Sequence, residues 1–167
     1  MRHLFLPMCL LLLLFAGCKK DEETEPLREF FSFTMRDIIV VGEKPSAILT
    51  PANLTDAETS NDHLRLTIKG TADGNESVTF VLKSDLKSLR EGRFPAGQGN
   101  SMTILYPESG LTLQANDHYG SFSMEIISLQ DSLLEARFDA QLIDASGIAS
   151  PNFAANGFLR AIIRAGN

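Results

Sequence analysis

Between Leu134 and Leu142 every second residue is apolar: Leu134, Ala136, Phe138, Ala140 and Leu142, with Glu135, Arg137, Asp139 and Gln141 between them. A period of two puts all five apolar side chains on one face of a strand, whereas a helix needs them at spacings of three and four. Such a face is buried only against another apolar layer, which commits the chain to packed β-sheets.

The same texture recurs along the chain. Leu64, Leu66 and Ile68 alternate with Arg65, Thr67 and Lys69, and Val78, Phe80 and Leu82 alternate with Thr79, Val81 and Lys83. The turn formers Gly70 to Asn75 lie between them, which predicts a β-hairpin with a loop longer than two residues. Met102–Tyr106 and Leu111–Ala115 predict a second hairpin, joined through Pro107-Glu108-Ser109-Gly110. Phe30 to Val41 reads as one or two strands interrupted at Arg36-Asp37, with Phe31, Phe33 and Met35 on one face, and Ser46–Leu49 as another short strand. Phe122, Met124 and Ile126 alternate, but Ile127 and Leu129 continue on the opposite phase, which places a β-bulge near Ile126-Ile127. Phe158–Ile163 reads as a central closing strand. Thr50–Asp62, Gly92–Gly99 and Asp144–Asn156 are expected to be irregular because of their Gly, Pro, Asn and Asp content. Asp85–Glu91 has room for one helical turn. About eight to ten strands with turn clusters between them indicate an all-β antiparallel sandwich, or a barrel-like one.

Ahead of this body lies a different kind of sequence. A basic start at Arg2 is followed by an apolar run from about Leu4 to Phe15, roughly a dozen residues, where a spanning helix needs about 20. A short apolar run ending in small residues has the form of a secretory signal. Phe15-Ala16-Gly17-Cys18 resembles the bacterial lipoprotein signal, with Phe15 where Leu is usual. The resemblance implies a cleaved signal peptide over 1–17 and a lipid-modified Cys18 as the first mature residue; an ordinary signal peptide with a chance cysteine is the other reading. The resemblance implies two or three palmitate-type chains, and since a single acyl chain binds a membrane only marginally, attachment through several should be persistent. Lys19-Lys20-Asp21-Glu22-Glu23 forms an acidic tether over 18–26. It resembles the surface-export signal of Bacteroidota lipoproteins, and it is in any case a solvated spacer. The implied location is the outer membrane, anchored by lipid and facing the cell exterior.

Removing 17 residues from 167 leaves about 150, the size of one domain, expected over 27–167. Of two cysteines, Cys9 lies in the signal and Cys18 carries the lipid, so the body has no thiol for a disulfide, a zinc site or a nucleophile. It must stand on its hydrophobic core, with nine of the chain's eleven Phe in 27–167 to supply it. A net charge of −6 gives no general footprint for nucleic acid.

The last third, Tyr119 to Ile163, resembles Bacteroidota-type lipoproteins with a C-terminal all-β domain. The resemblance rests on Tyr119-Gly120-Ser121 before a strand, Ala136-Arg137-Phe138 within one, and Asn156-Gly157-Phe158 near the close; Gly92-Arg93-Phe94 is similar to a turn of that group. These motifs are structural, and they imply no activity and no cofactor.

Chemistry-bearing constellations are few. Asn61-Asp62-His63 and Asn116-Asp117-His118 each precede a strand. Asp62, His63, Asp117 and His118 are candidate metal ligands, and as paired Asp-His sets they are what a metal-dependent hydrolase would use. Asn and Asp that open turns, with the histidines covering a strand end, are the favoured explanation, so no metal is expected. No Gly-x-Ser-x-Gly elbow is present, and Gly97-Gln98-Gly99 is followed by neither Lys nor a helical pattern, so no catalytic residue is assigned and an enzyme is not expected. A surface module that binds a glycan or a partner protein would use exposed aromatics, for which Phe94, Tyr119 and Phe153 are the candidates; an accessory subunit of a surface complex is the alternative. Asp131-Ser132-Leu133 resembles the acceptor of Bacteroidota O-glycosylation, at Ser132.

Overall fold

The computed structural model describes residues 27–85, 88–144, 146 and 151–166. The expected signal peptide, Cys18 and the tether lie outside the described residues, as do two positions of the expected helical turn at 85–91. The body is all-β. Its strands are β1 (Phe30–Met35), β2 (Ile38–Glu43), β3 (Ser46–Thr50), β4 (Leu64–Thr71), β5 (Ser77–Ser84), β6 (Gly92–Pro95), β7 (Ser101–Leu105), β8 (Thr112–Ala115), β9 (Ser121–Gln130), β10 (Leu133–Asp144) and β11 (Asn152–Ala165). Thr59–Asn61 and Ala96–Gln98 are single 3-10 turns.

The eleven strands form one mixed sheet in the order β2-β1-β11-β3-β4-β5-β7-β8-β10-β9-β6. β10 and β11 also pair with each other, so the pairings return on themselves through β11, β3, β4, β5, β7, β8 and β10. Two long strands make this possible. β10 pairs with β9 as far as Gln141 and then with β8 at Ile143 and Asp144. β11 pairs with β1 over Ala154–Arg160 and then, in parallel, with β3 over Ile163–Ala165.

The alternation at 134–142 is realised as expected: Leu134, Ala136, Phe138, Ala140 and Leu142 are all buried. Phe138 meets Phe80 of β5 at 4.8 Å between ring centroids and Phe33 of β1 at 5.9 Å, and Phe31 meets Phe80 at 6.1 Å. These edge-on contacts join strands that are not sheet neighbours, and each adds about 0.5–1.5 kcal/mol beyond area burial. Both predicted hairpins form. The β9 bulge lies where the phase slips: Ile126 faces Ala136 and Ser128 faces Glu135, which leaves Ile127 over. Arg36 and Asp37, both at positive φ (51° and 62°), make the two-residue turn between β1 and β2.

Three expectations require correction. Gly92–Pro95 is a strand, not irregular chain; it pairs with β9 alone, at the sheet's edge, where the missing N–H of Pro95 is tolerated. The closing strand begins at Asn152, not Phe158. It passes through Asn156-Gly157 as a bulge, with Asn156 at φ 55° and its N–H donating to Asp139 Oδ1 at 3.2 Å. Glycine is required next, because a Cβ on Gly157 would stand 2.4 Å from the Phe138 carbonyl oxygen and 2.5 Å from its ring. The strand total exceeds the expected eight to ten through β6.

Candidate functional site

Several strands end together at one rim. β3 stops at Thr50 before Pro51, β4 begins at Leu64, β9 turns into β10 at Asp131-Ser132, and β11 runs out at Ala165-Gly166. Between these ends lies a pocket of about 550 Å³. Its apolar wall comes from Leu49, Leu64, Leu89, Leu129 and Ile163. Leu64 and Leu89 belong to the buried core, and Leu49, Leu129 and Ile163 pack against it half-buried. The pocket is therefore the core's own open end. Ser88, Asp131 and Ser132 supply the polar groups. Asp131 sits at φ 55°, and the carbonyl of Ser132 accepts the Ile163 N–H at 2.7 Å, which ties the β9–β10 turn to β11. Pockets of about 300–1,000 Å³ with apolar walls and a few placed polar groups are those that hold small ligands.

On the outer face of the same strands lies a smaller cleft of about 250 Å³, lined by Thr50, Asn61, His63, Arg65, Thr67 and Lys83. The loop above it is organised by Asp56, which accepts from Asn53 Nδ2 at 2.5 Å, from the Glu58 N–H at 3.0 Å and from Asn61 Nδ2 at 3.1 Å.

The sequence-predicted residues separate. His63 lies beside Asp85, Nδ1 to Oδ1 at 2.7 Å, rather than beside Asp62. His118 is 80% exposed, with Asp117 at 3.8 Å. They belong to the ends of β4 and β8, three strands apart, or about 14 Å at the usual spacing. Among the described residues no three His, Asp or Glu side chains come together as a metal-ligand group. Asn116 Oδ1 accepts the N–H groups of His118 and Tyr119 at 2.8 and 2.9 Å, so this triplet makes a turn.

Of the three aromatics, Phe94 is buried (8% exposed) and belongs to the core, because β6 turns its side chain inward opposite Met124. Tyr119 and Phe153 are exposed. Ser121, Gln141 and Phe153 form one row across β9, β10 and β11, and Tyr119 lies two residues before Ser121, so the two rings are two strands apart. Ser132 is exposed in its turn, beside the pocket.

Groups with displaced pKa values lie elsewhere. Arg28 and Glu43 hydrogen-bond each other, which raises the guanidinium's pKa and lowers the carboxyl's. The Ser146 hydroxyl and N–H lower Asp144. Burial, then the Glu76 charge, raises the Tyr106 phenol.

Neither the pocket nor the opposed cations Arg65 and Lys83 were anticipated from the sequence. The pocket assembles strand ends far apart in the chain, which only topology reveals. The cations stand in the sequence as outward residues of the two strands, but counting outward from Gly70–Asn75 brings Phe80 to Arg65, and only the observed register sets Lys83 opposite it. The chain matches no family model, no curated protein and no solved structure.

Proposed function

We propose that this protein is a lipid-anchored, non-enzymatic binding module, tethered at the outer membrane by Cys18 and facing the cell exterior, that receives an apolar or amphipathic small molecule in the open end of its core. Its fold is a β-sandwich whose two layers are joined at opposite corners by β10 and β11. The observation that carries the reading is the pocket of about 550 Å³ walled by Leu49, Leu89, Leu129 and Ile163, with Ser88, Asp131 and Ser132 to orient a polar end. The full-length protein should bind the neutral dye Nile red saturably, with blue-shifted emission. Ala165→Trp, at an exposed position lining the pocket, should weaken binding several-fold without lowering Tm. Equal binding by parent and variant would remove the pocket from the reading. Cys18→Ala should release or leave unprocessed a protein that otherwise sediments with membranes.

A second reading, an accessory subunit of a surface complex, is favoured by β2. This strand pairs with β1 and otherwise makes one isolated bridge, Gly42 with Ala72, and it exposes Ile38 (67%) and Ile39 (71%). Exposed apolar residues on an edge strand suit a partner's surface. Cross-linking in intact membranes should then recover one stoichiometric protein, lost in Ile38→Lys/Ile39→Lys.

A further inference from the structure

The cleft on the outer face of β3, β4 and β5 has a chemistry opposite to that of the chain as a whole. Arg65 and Lys83 stand directly opposite each other in the antiparallel pairing of β4 and β5. Like charges so placed weaken a strand pair. Neither cation forms an ion pair with a described residue. The chain is not short of acids, since its net charge is −6. Of the carboxylates near the cleft, Asp85 lies against the lining residue His63 at 2.7 Å, and Asp56 holds Asn53 and Asn61. Lys83 also lines an adjoining cleft with Arg90 and Arg93, which Asp85 and Glu91 line as well. There Glu91 accepts the Leu129 N–H at 3.2 Å, and Glu125 lies 3.8 Å from Arg93.

Asn61 lines the cleft, and its Oδ1 is buried without a hydrogen-bond partner. Its Nδ2 donates to Asp56, which fixes the amide's orientation. That oxygen is closed to solvent, so this amide holds the wall of the cleft rather than offering an acceptor to a ligand. Thr50, which pairs with Arg65 across β3 and β4, and Thr67 add hydroxyls that both donate and accept.

Opposed cations beside two hydroxyls fit a ligand with an acidic group and hydroxyls of its own. We propose that this cleft binds an acidic saccharide, its carboxylate or sulfate between Arg65 and Lys83 and its hydroxyls toward Thr50 and Thr67. This site is separate from the apolar pocket and stands or falls without it.

Titration calorimetry of the full-length protein with chondroitin sulfate oligosaccharides tests the proposal, with neutral dextran oligosaccharides and inorganic sulfate as controls. The acidic oligosaccharide should bind saturably at low ionic strength and more weakly as salt rises. Arg65→Gln/Lys83→Gln should weaken it at least tenfold with no loss of Tm, because the variant removes a repulsion. Thr67→Ala should weaken it too, whereas Arg65→Lys should largely preserve it. Dextran binding as tightly would overturn the role of charge, sulfate binding as tightly the role of the sugar, and unchanged binding in the double glutamine variant the site itself.

Discussion

The Asn100 side chain is fully buried, and its Oδ1 accepts the Lys83 N–H at 2.8 Å. Its Nδ2 donates to the Pro95 carbonyl at 2.7 Å. β5 and β7 cease to pair at Val81 and Ser101, so this amide takes the place of a strand partner and ties β5 to the edge strand β6. Asn100→Ala leaves a buried N–H and a buried C=O without partners, which costs about 1–3 kcal/mol each at most. A loss of about 2–4 kcal/mol is expected, seen as a urea midpoint lower by about 1–2 M. A midpoint within experimental error of the parent's would mean that water replaces the amide without cost.

Phe94 and Phe153 look alike in the sequence, each within a Gly- or Pro-containing segment. Phe94 is 8% exposed and Phe153 61%. Phe94→Ala empties a core position and should cost about 3–5 kcal/mol. Phe153→Ala should fall within about 0.5 kcal/mol of the parent. Chemical denaturation of both variants checks the contrast, and a costly Phe153→Ala would place that ring against something it does not touch here.

At the β11 bulge, Gly157→Ala should destabilise by about 1–3 kcal/mol, the usual cost of overpacking, because the added methyl meets the Phe138 backbone as well as its ring. Asn156→Gly should be close to neutral, since glycine also adopts the positive φ of 55°. Thermal unfolding of the pair distinguishes a steric requirement at 157 from a conformational one at 156.

These positions also show what the sequence could reveal. Alternation is a local signal, and it located β4, β5, β9 and β10 with their inward faces and the bulge near Ile126-Ile127, while β7 and β8 were found as a hairpin. It misled wherever backbone chemistry was carried by the sheet instead. Asn156-Gly157 has the composition of a loop, yet the Asp139 carboxylate and the Phe138 ring hold it inside β11. Pro95 signals a break, yet at an edge it breaks nothing. The candidate sites were less legible still, because Leu49, Leu129 and Ile163 meet only after β11 pairs in parallel with β3. His63 found its partner in Asp85, 22 positions away, not in its neighbour.

Tyr106 gives the pH dependence a definite sign. Its half-buried phenol packs against the core, and burial raises its pKa above the ordinary value, with Glu76 adding to the shift and Arg36 opposing it. In the unfolded chain the phenol ionises near pH 10, while the folded protein keeps its proton to higher pH. The folded state then holds more protons, so stability falls as pH rises from the unfolded value through the folded one, and the contribution is complete below both. The chain has only two tyrosines, so Tyr119→Phe isolates the signal. In that background the phenolate absorbance should rise at a pH above that of free tyrosine, and Glu76→Gln should move the midpoint part of the way back. Adding Tyr106→Phe should flatten the alkaline loss of stability; a slope that persists unchanged would assign it to the lysines instead.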